Sequence, residues 1–261
     1  MRLTYRDKNT ATYWDRRWAE LPVDLPAAGV DRYPLAHAER LVRDVDGPLL
    51  ELGCGPGRLL RNYHQRGFDI LGVDSVEEVV RKLHAFDPGL RAMHADARAL
   101  PLEDATFGGV LCFGVFHSLA QGVGKAVSEA YRVLRPGGRL CAEFRADSLH
   151  NLAIDYFKGR GKACTEFHKC NFKIEEAKAT LAEAGFKIES VVPTLNMSLL
   201  YHQAFLRHPS QRLYDEHTCR AEGYRLRSSI EAAQDLALRL APRQIANLFI
   251  VYCRKPKVLR Q

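Results

Sequence analysis

The residues best suited to chemistry form a glycine-rich run in the first half of the chain. The run Gly-Cys-Gly-Pro-Gly at 53–57 directly follows an apolar stretch that ends in Leu-Glu-Leu. Glycine permits backbone angles and close ligand approach that a Cβ atom would prevent. A helix starting at Arg58 would point its free amides and partial positive charge at this turn, where they can hold a ligand carboxylate. The candidate binding residues here are Glu51, Gly53, Cys54, Gly55, Pro56 and Gly57.

An acidic residue follows the next apolar run along the chain. Asp74, with Ser75 beside it, comes directly after the predicted strand 69–73. A carboxylate at this place can accept hydrogen bonds from both hydroxyls of a ribose. Open α/β sheets bind ligands at the carboxyl ends of neighbouring strands, so we expect Asp74 to lie close to the glycine turn.

The spacing of the glycines distinguishes this turn from two phosphate-binding motifs that are also rich in glycine. The dinucleotide fingerprint Gly-x-Gly-x-x-Gly would need its last glycine at position 58, which is arginine. A P-loop needs Gly-Lys-Ser or Gly-Lys-Thr, which the sequence lacks. The pattern is instead Gly-x-Gly-x-Gly.

Short apolar runs alternate with helical patterns through the middle of the chain. This alternation predicts βαβ units, an α/β fold and a mainly parallel sheet. The predicted strands are 48–52, 69–73, 90–94, 107–113, 139–144, 187–192 and 246–253, and the predicted helices are 34–45, 58–65, 76–86, 122–134, 173–184 and 229–240.

Taken together, these motifs resemble the class I S-adenosylmethionine-dependent methyltransferases. The sequence is most similar to the small-molecule branch with a type 11 methyltransferase domain, which includes enzymes of ubiquinone and menaquinone biosynthesis. The resemblance implies a Rossmann-like, seven-stranded, mostly parallel sheet with helices on both faces and an antiparallel last strand. The segments that carry it are 51–57, Asp74, His94-Ala95-Asp96-Ala97, 100–107 and 131–138.

The same resemblance implies S-adenosyl-L-methionine as the cofactor and assigns further residues to it. Asp96 would bind the adenine amino group, and the backbone amide of Ala97 an adenine nitrogen. Phe113 and Gly114 would line the methionine part. In one departure from the family pattern, glycine stands at 108, where an acid usually follows Phe107; we expect little functional loss, because that position lies away from the cofactor.

Fewer residues of the sequence can be assigned to the binding of the methyl acceptor. His117 follows the fourth predicted strand and is the candidate general base, although methyl transfer needs a base only for some acceptors. The acceptor pocket is predicted to involve Tyr13, Trp14, Tyr201 and His202. Residues 1–46 are predicted to form a helical segment that covers the site, and 47–261 a methyltransferase domain with a lid-like insertion at about 194–244.

Composition narrows the choice of substrate without deciding it. The net charge is +7, but the chain has no long basic run, so a small-molecule acceptor is favoured over RNA or protein. The Asn/Asp-Pro-Pro-Tyr/Phe motif of amino-group methylation is absent after the fourth strand. A cofactor-binding protein that uses S-adenosylmethionine for other chemistry stays an alternative.

The sequence also bears on metals and location. No metal site is predicted, because Cys164, His168 and Cys170 lack a Cys-x-x-Cys pair. No membrane span or signal peptide is predicted, which makes a cytoplasmic location the expectation. Oligomeric state cannot be read from the sequence.

Overall fold

The computed structural model describes residues 1–6, 11–21, 23, 32–159, 164–213, 219 and 223–257. The strands are β1 Arg2–Tyr5, β2 Leu49–Leu52, β3 Ile70–Asp74, β4 Ala92–His94, β5 Phe107–Cys112, β6 Leu134–Arg145, β7 Phe167–Asn171, β8 Lys187–Thr194 and β9 Leu248–Arg254. The helices are α1 Ala11–Glu20, α2 Leu35–Val42, α3 Arg58–Gln65, α4 Glu77–Phe86, α5 Val123–Val133, α6 Leu149–Gly159, α7 Ile174–Glu183, α8 Ser228–Leu240 and α9 Pro242–Ile245.

Within the described residues, seven strands form the central sheet in the order β4-β3-β2-β5-β6-β9-β8. The pairs β2–β3, β2–β5, β3–β4 and β5–β6 are parallel. Strand β9 runs antiparallel to both β6 and β8. The predicted Rossmann-like sheet with its antiparallel last strand is therefore confirmed.

The central strands are apolar throughout because both faces of the sheet are covered. Every residue of β2, β3 and β5 is buried, as expected for parallel strands between two helical layers. One core cluster includes Val127 of α5 and Leu181 of α7. The other includes Leu41 of α2 and Leu60 of α3.

The glycine at 108 has a packing explanation. A Cβ atom there would lie only 1.9 Å from the carbonyl oxygen of Asp46, which precedes β2. The segment before β2 thus lies directly on the start of β5. An acidic side chain at this position would force the two segments apart.

Two features of the sheets differ from the expectations. Strand β6 begins at Leu134 rather than 139, because its pairing with β5 continues past an irregularity that absorbs the Arg-Pro-Gly-Gly run. Strand β1 pairs antiparallel with β7 in a separate two-stranded sheet, so the N-terminal segment is not purely helical. A four-residue strand stabilised by a partner so distant in sequence carries too little periodic signal to predict.

The late insertion has a small core of its own. Tyr201, Cys219 and Leu226 are buried together there, apart from the main core. The predicted helix is present as α8, and 3₁₀ turns occupy much of residues 199–211. A lid function for this insertion stays a prediction. In the part of the chain that the structure describes, no helix is long and apolar enough to cross a bilayer.

Candidate functional site

The glycine turn after β2 adopts the left-handed backbone that its sequence predicts. Gly53, Gly55 and Gly57 have φ angles of 73°, 49° and 78°. A Cβ atom on Gly53 would lie 2.3 Å from Cγ2 of Val115. Gly57 stands immediately before α3 as its N-terminal cap residue. The turn therefore needs glycine for its backbone angles and, at Gly53, for its packing.

Asp74 fixes the glycine turn to the end of β3. Its Oδ2 accepts a hydrogen bond from the Gly55 amide at 2.8 Å, and its Oδ1 accepts one from the Val76 amide at 3.0 Å. Burial raises the pKa of this carboxyl, while the Gly55 and Val76 amides act in the opposite direction. Each carboxylate oxygen can accept a further bond, so the predicted ribose contacts stay chemically available.

Glu51 is a second buried acid beneath the turn. Its Oε2 accepts a hydrogen bond from the Leu60 amide in the first turn of α3, at 2.8 Å. Burial is the main cause that raises the pKa of Glu51 to about 8, and the nearby Asp74 adds to it. The carboxyl thus positions α3 relative to β2 through an otherwise orphaned helix amide.

Asp96 differs from these two acids in its exposure. Its carboxylate forms an ion pair with Arg98, with Oδ2 at 2.6 Å from the nearest guanidinium nitrogen. The Arg98 hydrogen bonds lower the pKa of Asp96. Asp96 and the neighbouring Ala97 still face the cavity described next.

A cavity of about 380 Å³ opens at the carboxyl ends of β2, β3 and β5. It brings together most of the predicted cofactor residues and one predicted acceptor residue: Glu51, Gly53, Cys54, Gly55, Pro56, Asp74, Ser75, Asp96, Ala97, Phe113, Gly114 and Trp14. Gly57 shapes the turn without lining the cavity.

Helix α1 supplies an aromatic wall to this cavity. Trp14 and Trp18 stack with their ring centroids 5.3 Å apart, and both line the cavity. Lys82 of α4 holds the end of α1 in place through bonds to three carbonyls, including that of Trp18 at 2.9 Å. Trp18 is not among the predicted site residues, although the four-residue spacing of the tryptophans places both on one helical face.

Besides Gly57, four predicted residues lie outside the cavity wall. Tyr201 is buried in the insertion, where its hydroxyl donates to Gln211 at 2.9 Å. His202 is exposed, and Tyr13 packs edge-on against Trp14. His117 is buried as well, and it is not among the residues that line the cavity.

His117 faces an acid that the sequence analysis did not select. Its Nδ1 lies 3.3 Å from Oε1 of Glu143, without hydrogen-bond alignment to any described atom. Burial, helped by the charges of Lys169 and Arg145, lowers the pKa of His117 well below its usual value. The imidazole is therefore uncharged near neutral pH. The Tyr33 hydroxyl donates to the other oxygen of Glu143.

A second polar contact reaches the cavity from β7. Lys169 Nζ donates to Ser118 Oγ at 2.5 Å, and Ser118 Oγ donates to the Gly114 carbonyl at 2.6 Å. The same ammonium lies 5.7 Å from the ring centroid of Trp14. Ser118, Gly114 and Trp14 all line the cavity. The pairing of β1 with β7 thus helps to position a cation at the cavity wall.

Comparison with known proteins agrees with this geometry. Residues 50–142 match the model of the methyltransferase domain family. An uncharacterized methyltransferase of Mycobacterium tuberculosis is 34% identical over 112 residues, or 43% of this chain and 45% of the relative. A probable S-adenosylmethionine-dependent methyltransferase of Mycolicibacterium smegmatis is 32% identical over 164 residues, or 62% of this chain and 60% of the relative.

Residues 50–142 thus match a methyltransferase domain, and the chain is similar to S-adenosylmethionine-dependent methyltransferases. The glycine turn and the acidic residues of the cavity are the ones that this resemblance assigns to S-adenosylmethionine. The matches span about half of the length of these relatives. The expected similarity to quinone-biosynthesis enzymes in particular stays a prediction.

Solved structures share the methyltransferase fold at low sequence identity. A methyltransferase of Thermotoga maritima, described as a possible histamine N-methyltransferase, superposes with a TM-score of 0.52 at 22% identity. The match covers 83% of this chain and 86% of that one. This likeness concerns the fold alone.

Proposed function

We propose that this methyltransferase transfers the methyl group of S-adenosylmethionine to a small-molecule acceptor. The observation that carries the proposal is the single cavity wall shared by two groups of residues. The glycine turn and Asp74 line the cavity beside Gly114 and Ser118, which follow the neighbouring strand β5. One cavity can therefore hold both the cofactor and a second, small molecule.

The chain's own residues would divide the work of binding. Asp74 would accept hydrogen bonds from the ribose hydroxyls, and Asp96 and Ala97 would contact the adenine. The amides of the glycine turn already donate within the protein, so the positive end of the α3 dipole is what favours a carboxylate there. Phe113 and Gly114 would line the methionine part. When bound, the cofactor supplies an electrophilic methyl group on a sulfonium.

The remaining residues would orient the acceptor and exclude water. Trp14 and Trp18 cover one side of the cavity with apolar surface. Holding a nucleophile in line with a methyl group can lower the barrier by roughly 7–11 kcal/mol in favourable systems. Such catalysis needs no obligatory acid or base.

His117 is the proposed general base for a methyl acceptor that must lose a proton from an N–H or O–H group. Its uncharged state suits a base, and Glu143 would stabilise the imidazolium that forms. Its side chain faces Glu143 rather than the cavity, so this role requires an acceptor that reaches the space beside Glu143. A His117→Ala enzyme with undiminished turnover would exclude His117 from catalysis.

The function is tested by following a labelled methyl group. Purified protein is incubated with methyl-labelled S-adenosylmethionine and, separately, with small-metabolite, RNA and protein fractions. We expect label in a small metabolite and none with the Asp74→Ala variant. Label only in RNA or protein would replace the proposal with a macromolecular methyltransferase. Cofactor binding by calorimetry without any labelled product would indicate other chemistry.

A further inference from the structure

Helix α6 turns the polar side chains of Asn151 and Asp155 toward the protein. Asn151 Nδ2 donates to the carbonyls of Ala146 and Asn247 at 2.7 and 2.8 Å. Asp155, with only 9% of its side chain exposed, forms ion pairs with three arginines. Its partners are Arg2, Arg6 and Arg145. The helix is thus attached by hydrogen bonds and ion pairs rather than by an apolar stripe.

The apolar side chains of the same helix point to solvent. Leu149, Leu152, Tyr156 and Phe157 are 65%, 48%, 62% and 64% exposed. Their spacing of three, seven and eight residues from Leu149 places them on one side of the helix. We call these four residues the α6 face. An amphipathic helix with this orientation is inverted relative to one that packs on a core.

Further exposed apolar residues occur on the elements next to α6. His150 of α6 lies beside the backbone of Met197, and Lys158 is close enough to lower the pKa of His202. Leu200 and Phe205, in that neighbouring segment, are both exposed. Helix α9 packs against α6, and the exposed Leu236 and Leu240 lie on the preceding helix α8. Exposed apolar surface of this extent marks an interaction site.

The charges around this surface are predominantly positive. Lys158 is exposed at the end of α6. Across residues 194–213 and 223–247, four arginines are exposed against one acid: Arg212, Arg227, Arg239 and Arg243 against Asp235. Of these arginines, Arg243 forms an ion pair with Glu175 of α7, which leaves three beside Lys158 to contact an anionic surface. A two-fold pairing of copies through the α6 face would bring like charges together. Apolar side chains flanked by cations instead complement a bilayer with anionic headgroups.

We propose that the α6 face docks the protein peripherally on the surface of a bilayer that contains anionic phospholipid. Tyr156, Phe157 and the leucines enter the boundary between headgroups and acyl chains, and the neighbouring cations contact the headgroups. The helix lies on the membrane rather than crossing it. This inference is independent of the methyl acceptor.

Flotation with large unilamellar vesicles tests the proposal on the full chain. One set of vesicles is phosphatidylcholine alone, and the other contains about 30% phosphatidylglycerol, an anionic lipid. We expect binding to the anionic vesicles that weakens as salt rises. Replacing Leu152 and Phe157 by serine together should weaken it about tenfold, because less apolar surface enters the bilayer.

A matched variant controls for the loss of any exposed aromatic residue. Phe86 is 44% exposed on α4, beside the opposite edge of the sheet, so Phe86→Ser should bind vesicles like the unmodified protein. Thermal unfolding confirms that each variant is folded. Equal binding to both kinds of vesicle, or no effect of Leu152→Ser with Phe157→Ser, would overturn the proposal. So would absence of vesicle binding in a protein that forms dimers disrupted by the same change.

Discussion

The two ends of the cavity are built in different ways. At the cofactor end, buried acids bond to backbone amides nearby in the chain: Glu51 to Leu60, nine residues away, and Asp74 to Gly55 and Val76. On the side of Ser118, beside the proposed acceptor, side chains meet across long separations. Lys169 donates to Ser118 of the cavity wall across 51 residues, and Tyr33 donates to Glu143, which is not part of that wall, across 110.

This contrast explains why only one end has a sequence signature. A backbone amide is present whatever the side chain, so a glycine turn and one acid suffice to define the cofactor end. The acceptor end depends on which side chains distant segments present. Other acceptors can therefore be accommodated by changing those segments while the cofactor end is kept.

The largest expected effect follows from adding one methyl group to the glycine turn. Gly53→Ala should abolish cofactor binding in calorimetry, because its Cβ collides with the branched side chain of Val115, which lines the cavity. The positive φ adds strain of roughly 1–3 kcal/mol. The matched control is Gly124→Ala, because Gly124 lies in α5 and nothing is within 4 Å of an added Cβ atom. This variant should bind the cofactor normally and should be more stable than the unmodified protein. Normal cofactor affinity in Gly53→Ala would contradict the close fit.

Removing the carboxylate of Asp74 should have the next largest effect. Asp74→Ala leaves the Gly55 and Val76 amides without their acceptor, and it should weaken cofactor affinity at least about tenfold in calorimetry. The matched control is Asp69→Ala. Asp69 is exposed before the opposite end of β3 and pairs with Arg91. Unchanged affinity in a folded Asp74→Ala protein would show that the cofactor binds elsewhere.

Glu51 should make the free energy of unfolding depend on pH. Its pKa is about 8 in the folded protein, against an ordinary value of 4.5. Between these values the folded state retains a proton that the unfolded state releases, so the free energy of unfolding should fall as pH rises from about 5 to 8. Glu51→Gln cannot ionise and should gain stability relative to the unmodified protein over that range. Denaturant titrations at several pH values measure this, and parallel pH curves would refute it.

The smallest effect is expected outside the cavity. Tyr201→Phe removes the bond to Gln211, whose Oε1 still accepts from the Arg225 amide at 2.9 Å. The free energy of unfolding should fall by about 1 kcal/mol in denaturant titrations, with cofactor affinity unchanged. The exposed Tyr5, replaced by phenylalanine, serves as the control. A clear loss of cofactor affinity in Tyr201→Phe would assign the insertion a direct part in the site.

The sequence by itself determined the alternating α/β core and the glycine turn that lines the cavity. The strands β2, β3 and β5 can be recognised in the sequence as continuous apolar runs because both of their faces are buried. The turn at 53–57 can be recognised because its backbone angles require glycine. Both features depend on residues that are adjacent in the chain, so a short stretch of sequence is enough to identify them.

The tertiary structure decided the rest. It brought Trp18 to the cavity, placed Tyr201 in a separate small core, and turned His117 toward Glu143. It also paired β1 with β7 and left the apolar side of α6 exposed. These outcomes depend on which segments pack together across the whole chain. Apart from the four-residue spacing that places Trp18 beside Trp14, side-chain types and short-range spacing do not indicate these contacts.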